Sequence, residues 1–134
     1  MESQTTILLV DNYEPVRRVF RLILEERAEY KIIGETGDGR TAVDMARELT
    51  PTIILMDVFL PGLNGFDAAS EILKELPEAR ILFVSENRQC TSAREAFRIG
   101  GCGYLVKSYA ARELLVAVRS ILDGHPYISR GLDC

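Results

Sequence analysis

Short runs of apolar residues alternate five times along the chain with segments in which apolar residues recur at helical spacing. Continuous apolar runs of this length are typical of strands that are buried on both faces of a parallel sheet. The pattern therefore predicts an α/β fold in which strands and helices alternate. The predicted strands are 6–10, 31–36, 53–56, 81–84 and 103–106, and the predicted helices are 14–28, 40–49, 66–76, 91–99 and 112–123.

Turn-forming residues agree with this division. Pro51 and Pro77 follow two predicted helices, and Gly124 ends the last one. Right-handed crossovers between parallel strands then give a doubly wound sheet. Residues 1–124 are predicted to form one domain, and 125–134 are predicted to be the start of a linker, with no output domain present.

Three of the predicted strands end at a charged residue: Asp11, Asp57 and Lys107. Taken singly, a strand-end aspartate is commonly a turn or helix-cap residue. In parallel sheets covered by helices, however, ligands bind beyond the carboxyl ends of the strands. If these three strands lie close together, two carboxylates repel each other in one pocket and an ammonium group relieves part of the repulsion. We therefore predict a site for chemistry on a carboxylate.

Composition and charge exclude several functional classes. Apolar residues make up 47% and charged residues 27% of the 134 residues, which is typical of a globular domain. No apolar stretch approaches the roughly 20 residues of a membrane helix, and no signal-peptide pattern is present, so a cytoplasmic location is expected. The net charge is −4 without a basic stripe, so we expect no direct nucleic-acid binding by this chain.

The three cysteines are Cys90, Cys102 and Cys134. Their number is odd and their spacing does not match that of metal ligands. A disulfide scaffold or a zinc site is therefore not expected, and reduced thiols are the prediction.

Several motifs resemble the receiver domain of two-component response regulators, and the resemblance extends over the whole chain. Residues 7–11 resemble the first strand of that family with its acidic end, and residues 56–65 resemble its phosphoacceptor motif with a Pro-Gly loop. Ser85 matches the hydroxyl position of the family. Residues 103–107 match its lysine motif, with Tyr104 at the place of the switch aromatic.

The resemblance is greatest to the LuxR/NarL-type subfamily, through residues 113–124 and 126–129. It implies a flavodoxin-like (βα)5 fold with five parallel strands in the order 2-1-3-4-5. It also implies homodimerisation and a change near the fourth helix and fifth strand. A full-length relative would carry a helix-turn-helix DNA-binding domain.

The resemblance further implies a phosphorylation switch. In this interpretation Asp57 is phosphorylated by a sensor histidine kinase and acts as the nucleophile, with Lys107 and Ser85 as the other catalytic residues. Ser85 and Tyr104 are the switch residues. The protein would catalyse its own phosphorylation and dephosphorylation and would not be a metabolic enzyme.

The resemblance also implies a Mg2+ site at Asp11, Asn12, Asp57 and Phe59. Mg2+ is commonly bound by one or two carboxylates together with phosphate and water oxygens. Asn12 stands where the family usually has a second acid. Weak Mg2+ binding is therefore predicted, with a loss of at least about 10- to 100-fold in affinity, unless Glu14 reaches the metal instead.

Two further departures from the family pattern concern access to Asp57. Phe59 places a bulky apolar group near the site, which predicts slow attack by water and a long-lived phosphoryl group. Glu86 follows Ser85 where a small residue is common, and its carboxylate could hinder a phosphate donor.

Two alternatives remain open. One is a pseudo-receiver that keeps the fold but signals without phosphorylation, for which Asn12 and Glu86 are the grounds. The other is a dehalogenase-like phosphatase, which also uses a strand-end aspartate. Such an enzyme needs a second aspartate at the position that Phe59 occupies, which argues against it.

Overall fold

Strands and helices alternate strictly along most of the chain in the computed structural model, which describes residues 4–134. A single turn of 3-10 helix at Lys107–Tyr109 separates β5 from α5. The strands are β1 (Thr5–Val10), β2 (Tyr30–Thr36), β3 (Ile53–Asp57), β4 (Arg80–Ser85), β5 (Gly103–Val106) and β6 (Tyr127–Ile128). The helices are α1 (Glu14–Glu25), α2 (Gly39–Leu49), α3 (Gly65–Glu75), α4 (Cys90–Arg98) and α5 (Ala110–Leu122).

All six strands pair in parallel in one sheet, in the order β2-β1-β3-β4-β5-β6. The flavodoxin-like fold and the order of the first five strands are thereby confirmed, whereas the predicted number of five strands is wrong. The additional strand, β6, has only two residues, which is too short for a periodic pattern to be recognised. It forms because the chain returns from α5 to the otherwise free edge of β5.

The alternating direction of side chains along the strands creates two cores, one on each face of the sheet. In β1, Leu8 and Val10 pack beneath α2, α3 and α4, whereas Ile7 and Leu9 pack beneath α1 and α5. These side chains are almost completely buried, and each contributes roughly 1.5–3 kcal/mol relative to exposure. Burial on both faces explains why the strands have continuous apolar sequences.

Capping residues fix the starts of two helices on the side of the sheet where the strands end. Asp38 accepts a hydrogen bond from the backbone N–H of Thr41 (2.9 Å) at the start of α2. Asn64 accepts one from the N–H of Asp67 (3.0 Å) at the start of α3. Such caps typically contribute about 1 kcal/mol and set where the preceding loops end.

The residues after β6 fold back against α4. The backbone N–H of Asp133 donates to the carbonyl oxygen of Arg88 (2.7 Å), and the N–H of Cys90 donates to that of Asp133 (3.4 Å). Cys90 and Cys134 are joined as a disulfide, with Cα atoms 5.3 Å apart. The expectation of reduced thiols is therefore wrong for these two residues, because their approach depends on a tertiary contact across 44 positions. Cys102 is free.

None of the helices within residues 4–134 is long and apolar enough to cross a membrane.

Candidate functional site at the carboxyl ends of the strands

The three charged residues at the strand ends meet at one edge of the sheet. Asp11 directly follows β1 and Asp57 is the last residue of β3, its neighbour, so the two aspartates lie side by side. Lys107 follows β5, which β4 separates from β3, and its side chain reaches across the end of β4. Its Nζ lies 2.7 Å from Oδ2 of Asp11 and 3.2 Å from Oδ2 of Asp57.

Burial makes these charges interact strongly. Asp11 is 3% exposed and Asp57 is 4% exposed, and the Lys107 side chain is 14% exposed. Removal from water raises the pKa of Asp57, the negative charge of Asp11 raises it further, and Lys107 offsets only part of this rise. Burial alone would lower the pKa of Lys107, but its hydrogen bond to Asp11 and the charges of both carboxylates outweigh that effect and raise it.

Backbone amides hold one oxygen of each carboxylate in place. The N–H of Tyr13 donates to Oδ1 of Asp11 (2.9 Å), and the N–H of Phe59 donates to Oδ1 of Asp57 (3.3 Å). Oδ2 of Asp57 accepts a hydrogen bond from Lys107. Oδ2 of Asp11 is buried and lies 2.7 Å from the Lys107 ammonium group, which leaves this oxygen a lone pair for another ligand.

The oxygens at this edge fit a cation that needs few protein ligands. Among the described residues, no group of three or more His, Cys, Asp or Glu side chains has the arrangement of a metal site. Asp11 and Asp57 supply two carboxylates, which is the number that Mg2+ commonly uses together with water and phosphate oxygens. Asn12 is exposed, and Glu14 pairs with Arg18 (3.0 Å), so in this arrangement Glu14 does not replace the missing acid.

Sequence reasoning missed an ion-pair cluster behind Asp11. The Arg17 guanidinium donates to the backbone carbonyl oxygen of Asp11 and pairs with Glu35 on β2 at 3.2 Å. Arg21 donates to the same carboxylate at 2.6 Å. Arg17 is therefore not part of a solvated helix face, because its side chain is only 17% exposed. The available signal was the i, i+4 spacing of two arginines on α1, combined with an acid near the end of β2.

Gly65 sets the shape of the loop that follows Asp57. A Cβ atom at this position would collide with the carbonyl oxygen of Asp57. The N–H of Gly65 also donates to the carbonyl oxygen of Val58 (2.7 Å), which closes the loop against the end of β3. Within this loop the Phe59 side chain is 63% exposed, at the mouth of the site.

Ser85 and Tyr104 are linked through a residue that sequence reasoning did not single out, Asn87. Ser85 is fully buried at the end of β4, and its Oγ accepts a hydrogen bond from the N–H of Asn87 (3.0 Å). Tyr104 is also fully buried, and its hydroxyl donates to the carbonyl oxygen of Asn87 (2.6 Å) and is hydrogen-bonded to Ser92 on α4 (2.9 Å). The structure thus connects the predicted hydroxyl position to the predicted switch aromatic.

The predicted site residues lie at different distances from the two carboxylates. Asp11, Asp57 and Lys107 are brought into direct contact, and Ser85 ends the strand between Asp57 and Lys107. Asn12 and Phe59 flank the site as exposed residues, as does Glu86. Tyr104 lies away from the carboxylates, beneath α4. Their catalytic, metal-binding and switching roles stay predictions.

Comparison with known proteins identifies the class to which this arrangement belongs. The profile of the response regulator receiver domain matches residues 7–119, which is most of the chain. The chain therefore belongs to the response regulator receiver domain family of two-component systems.

Two curated relatives are regulators longer than this chain. The transcriptional activator protein ExaE of Pseudomonas putida is 36% identical over 126 residues, covering 94% of this chain and 59% of the relative. The response regulator UvrY of Escherichia coli K12 is 32% identical over 123 residues, covering 92% of this chain and 56% of the relative. The chain thus spans somewhat more than half the length of these relatives.

Solved structures show the same fold. A two-component response regulator of the LuxR family from Aurantimonas sp. SI85-9A1 superposes with a TM-score of 0.91 at 36% identity, covering 96% of this chain and 91% of that one. The response regulator domain of Thermotoga maritima CheB gives a TM-score of 0.83 at 29% identity, covering 92% and 99%. These relatives place the chain close to the LuxR/NarL-type regulators.

Proposed function

We propose that the protein is a phosphorylation-dependent switch in which Asp57 is the phosphoryl acceptor. The observation that carries the proposal is the contact of one ammonium group with two buried carboxylates at the ends of three strands. Receiver domains pair with sensor kinases, so the donor proposed here is a phosphohistidine of a sensor histidine kinase.

The proposed reaction is an in-line phosphoryl transfer. A carboxylate oxygen of Asp57 attacks the phosphorus atom, the P–N bond breaks, and its electron pair returns to the imidazole of the kinase. The Lys107 ammonium then moves from pairing with Asp57 to pairing with a phosphoryl oxygen, and the Ser85 hydroxyl donates to another. Catalysis of this kind depends on positioning and charge neutralisation, which the fixed strand ends provide.

Receiver domains generally bind Mg2+ at the phosphorylation site. In this chain Asp11 and Asp57 would hold the ion, and the backbone carbonyl oxygen is the group that Phe59 can contribute. When bound, the ion neutralises the charge that develops on the transferred phosphoryl group. We propose that binding is weak, because Asn12 carries no charge and Glu14 is paired with Arg18.

The proposed switch runs from Ser85 through Asn87 to Tyr104. To donate a hydrogen bond to a phosphoryl oxygen, the Ser85 side chain would have to rotate. This rotation would move the hydroxyl oxygen that now accepts from the N–H of Asn87. A displaced Asn87 would deprive the Tyr104 hydroxyl of its 2.6 Å acceptor and favour another packing of α4 and β5. Moving such an equilibrium from 1:99 to 99:1 requires about 5.5 kcal/mol of differential binding.

The names of two relatives support part of the proposed biological setting. ExaE is named a transcriptional activator, and UvrY a response regulator. We propose that the chain works in the cytoplasm, that residues 1–124 form the receiver domain, and that 125–134 begin a linker. We further propose that phosphorylation controls homodimerisation or a downstream helix-turn-helix DNA-binding output.

Phosphorylation by acetyl phosphate with Mg2+, followed by intact mass measurement, tests the proposal. The protein is expected to gain one phosphoryl group and the Asp57→Asn variant none. Asp44→Asn, which alters an exposed carboxylate on α2, serves as the matched control and is expected to behave like the unmodified protein. No gain by a protein with native circular dichroism would refute the acceptor role.

The alternative is a pseudo-receiver that dimerises without phosphorylation. It is favoured by the exposed Asn12 and by the engagement of Glu14 with Arg18, which leave two carboxylates for a metal ion. The same mass measurement separates the two functions. Dimerisation by light scattering that is unchanged by acetyl phosphate, together with no mass gain, would support the pseudo-receiver.

A further inference from the structure

We propose that Cys90 and Cys134 are a reversible thiol–disulfide site that fastens the last residues of the chain to the start of α4. We call residues 129–134 the C-terminal strap. The site lies outside the aspartate pocket and involves none of the residues to which the phosphoryl chemistry is assigned.

Backbone hydrogen bonds place the two cysteines side by side. Asp133 is hydrogen-bonded to both ends of the segment 88–90. Its N–H donates to the carbonyl oxygen of Arg88, and its carbonyl oxygen accepts from the N–H of Cys90. Gln89 and Asp133 form a parallel β-bridge. The Cα atoms of Cys90 and Cys134 are 5.3 Å apart, within the range of about 4.4–6.8 Å that a disulfide requires. The pairing is thus supported by contacts that do not depend on the sulfur atoms.

The strap also follows a fitted path over the surface. Gly131 has φ of 86°, a left-handed conformation that favours glycine, and a Cβ atom there would collide with the ring of Tyr109. Leu132 packs against the core beneath α4. The guanidinium group of Arg88 lies over the ring of Tyr109, 5.7 Å from its centroid, so these two partners of the strap also contact each other. These contacts hold the strap against the surface of the domain.

The two sulfur atoms are open to reagents. Cys134 is exposed and Cys90 is half-buried, so a small molecule reaches the pair without unfolding of the core. The cytoplasm, where we propose that the chain works, is a reducing compartment, and disulfides in such compartments are mostly transient, catalytic or redox-sensing. A pair at the surface, preorganised by backbone hydrogen bonds, therefore fits reversible oxidation better than permanent stabilisation.

The oxidant that we propose is a low-molecular-weight disulfide. A thiolate of one cysteine attacks a sulfur atom of that disulfide, whose S–S bond breaks and releases one small thiol. The thiolate of the second cysteine attacks the mixed disulfide and releases the second small thiol. Two electrons pass from the cysteine pair to the small disulfide and each released thiolate takes up one proton, and a small dithiol reverses both steps.

The strap contacts Tyr104 and the neighbour of Asn87 in the Ser85–Tyr104 connection, and this part of the inference rests on the proposed function. The N–H of Ser129 donates to the carbonyl oxygen of Tyr104 (2.9 Å), and Asp133 holds Arg88, the neighbour of Asn87. A closed strap therefore stabilises the packing in which the Tyr104 hydroxyl is buried against Asn87. Oxidation opposes the rearrangement that phosphorylation would drive, and reduction permits it.

Peptide mapping tests the site itself. The chain is treated with glutathione disulfide or with dithiothreitol, alkylated and digested without further reduction. A Cys90–Cys134 linked peptide is expected after oxidation, with Cys102 alkylated in both samples, and dithiothreitol is expected to abolish the link. A linked peptide that contains Cys102, or only mixed disulfides with glutathione, would overturn the assignment.

Hydrogen exchange tests the fastening. The amides of Ser129 and Asp133 are expected to exchange about tenfold or more faster after reduction, as local opening becomes easier. Cys134→Ser is expected to match the reduced protein under both conditions, and Cys102→Ser, the control, is expected to match the unmodified protein. Equal exchange in the oxidised and reduced proteins would overturn the proposal, whatever the outcome of phosphorylation.

Phosphorylation by acetyl phosphate tests the link to the switch. We expect the ratio of phosphorylated to unphosphorylated protein, once it is constant in time, to be about fivefold or more lower in the oxidised protein, the lower end of typical coupling between sites. Equal ratios in both redox states would refute the coupling. Absence of phosphorylation in both states would instead overturn the proposed function, and the exchange measurement would still decide whether the strap is fastened.

Discussion

Replacing Lys107 with methionine removes the ammonium group from between two buried carboxylates. The Nζ atom lies 2.7 Å from Asp11 and 3.2 Å from Asp57, and both aspartates are less than 5% exposed. Methionine keeps much of the volume of the lysine stem but not its charge. We therefore expect Lys107→Met to lower the free energy of unfolding, and the distances allow the size of the effect to be worked out.

At an effective dielectric constant of about 20, attraction across 2.7 Å amounts to about 6 kcal/mol and across 3.2 Å to about 5 kcal/mol. Burying the ammonium group costs several kcal/mol, because the Lys107 side chain is only 14% exposed. The attraction minus this burial cost is consistent with the loss of about 3–5 kcal/mol that typically follows when one partner of a buried pair is removed. We expect Lys107→Met to lose about that much.

Urea unfolding at pH 7 measures the loss, with Lys74→Met as the control. Lys74 is exposed on α3, so its replacement is expected to change the free energy of unfolding by less than about 0.5 kcal/mol. A loss below about 1 kcal/mol for Lys107→Met, with an unchanged dependence on urea, would refute the argument that this ammonium group neutralises the two aspartates.

The pH dependence gives a second check with a defined sign. The pKa of Asp57 is raised in the folded protein, so the folded state holds this proton more tightly than the unfolded state. Ionisation of Asp57 therefore lowers the free energy of unfolding. This free energy is expected to rise again as the pH falls through the raised pKa toward the ordinary value of about 3.9. Lys107 opposes this shift, so the deficit of Lys107→Met is expected to shrink as the pH falls. A deficit that is constant or grows on acidification would contradict the reasoning.

Three further outcomes are expected. Phe59→Asn should speed the loss of the phosphoryl group from Asp57, measured by intact mass over time, and an unchanged or slower rate would contradict shielding by the exposed ring. Asn12→Asp should tighten Mg2+ binding by about 10- to 100-fold in calorimetric titration, because it adds a charged ligand, and equal affinity would argue against weak binding through Asn12. Tyr127→Phe should cost about 1–3 kcal/mol in urea unfolding, because the tyrosine hydroxyl donates to the buried Glu113 carboxylate at 2.7 Å, with the exposed Tyr13→Phe as control.

The sequence predicted the parts of the fold that depend on continuous burial. The runs that end at Asp11, Asp57 and Lys107 lie in strands buried on both faces, and such strands can be recognised without knowing their neighbours. Because parallel strands end at the same edge of a sheet, charges at their ends were expected to meet, as they do. This part of the site follows from strand geometry alone.

The parts that the sequence did not predict depend on contacts between distant segments. The pairing of Arg17 with Glu35 requires the register of β2 on β1, including an irregularity between Ile7 and Leu8. The pairing of β6 and the approach of Cys134 to Cys90 require the chain to turn back after α5. A two-residue strand and an odd number of cysteines carry no periodic signal, so neither the sixth strand nor the disulfide was predicted.

The loop between β4 and α4 is involved in both proposals. It is too short for one of its ends to move without the other. Four residues separate Ser85 from Cys90, and each residue spans at most about 3.3–3.6 Å. Within this span Asn87 bonds Ser85 on one side and Tyr104 on the other, while Arg88 and Cys90 bond the strap. In the proposed switch, a shift of Asn87 would strain the contacts that its neighbours make with the strap. If both proposals hold, phosphorylation and release of the strap favour each other by the same free energy, so the redox state of the cysteines that loosens the strap also favours the phosphorylated packing.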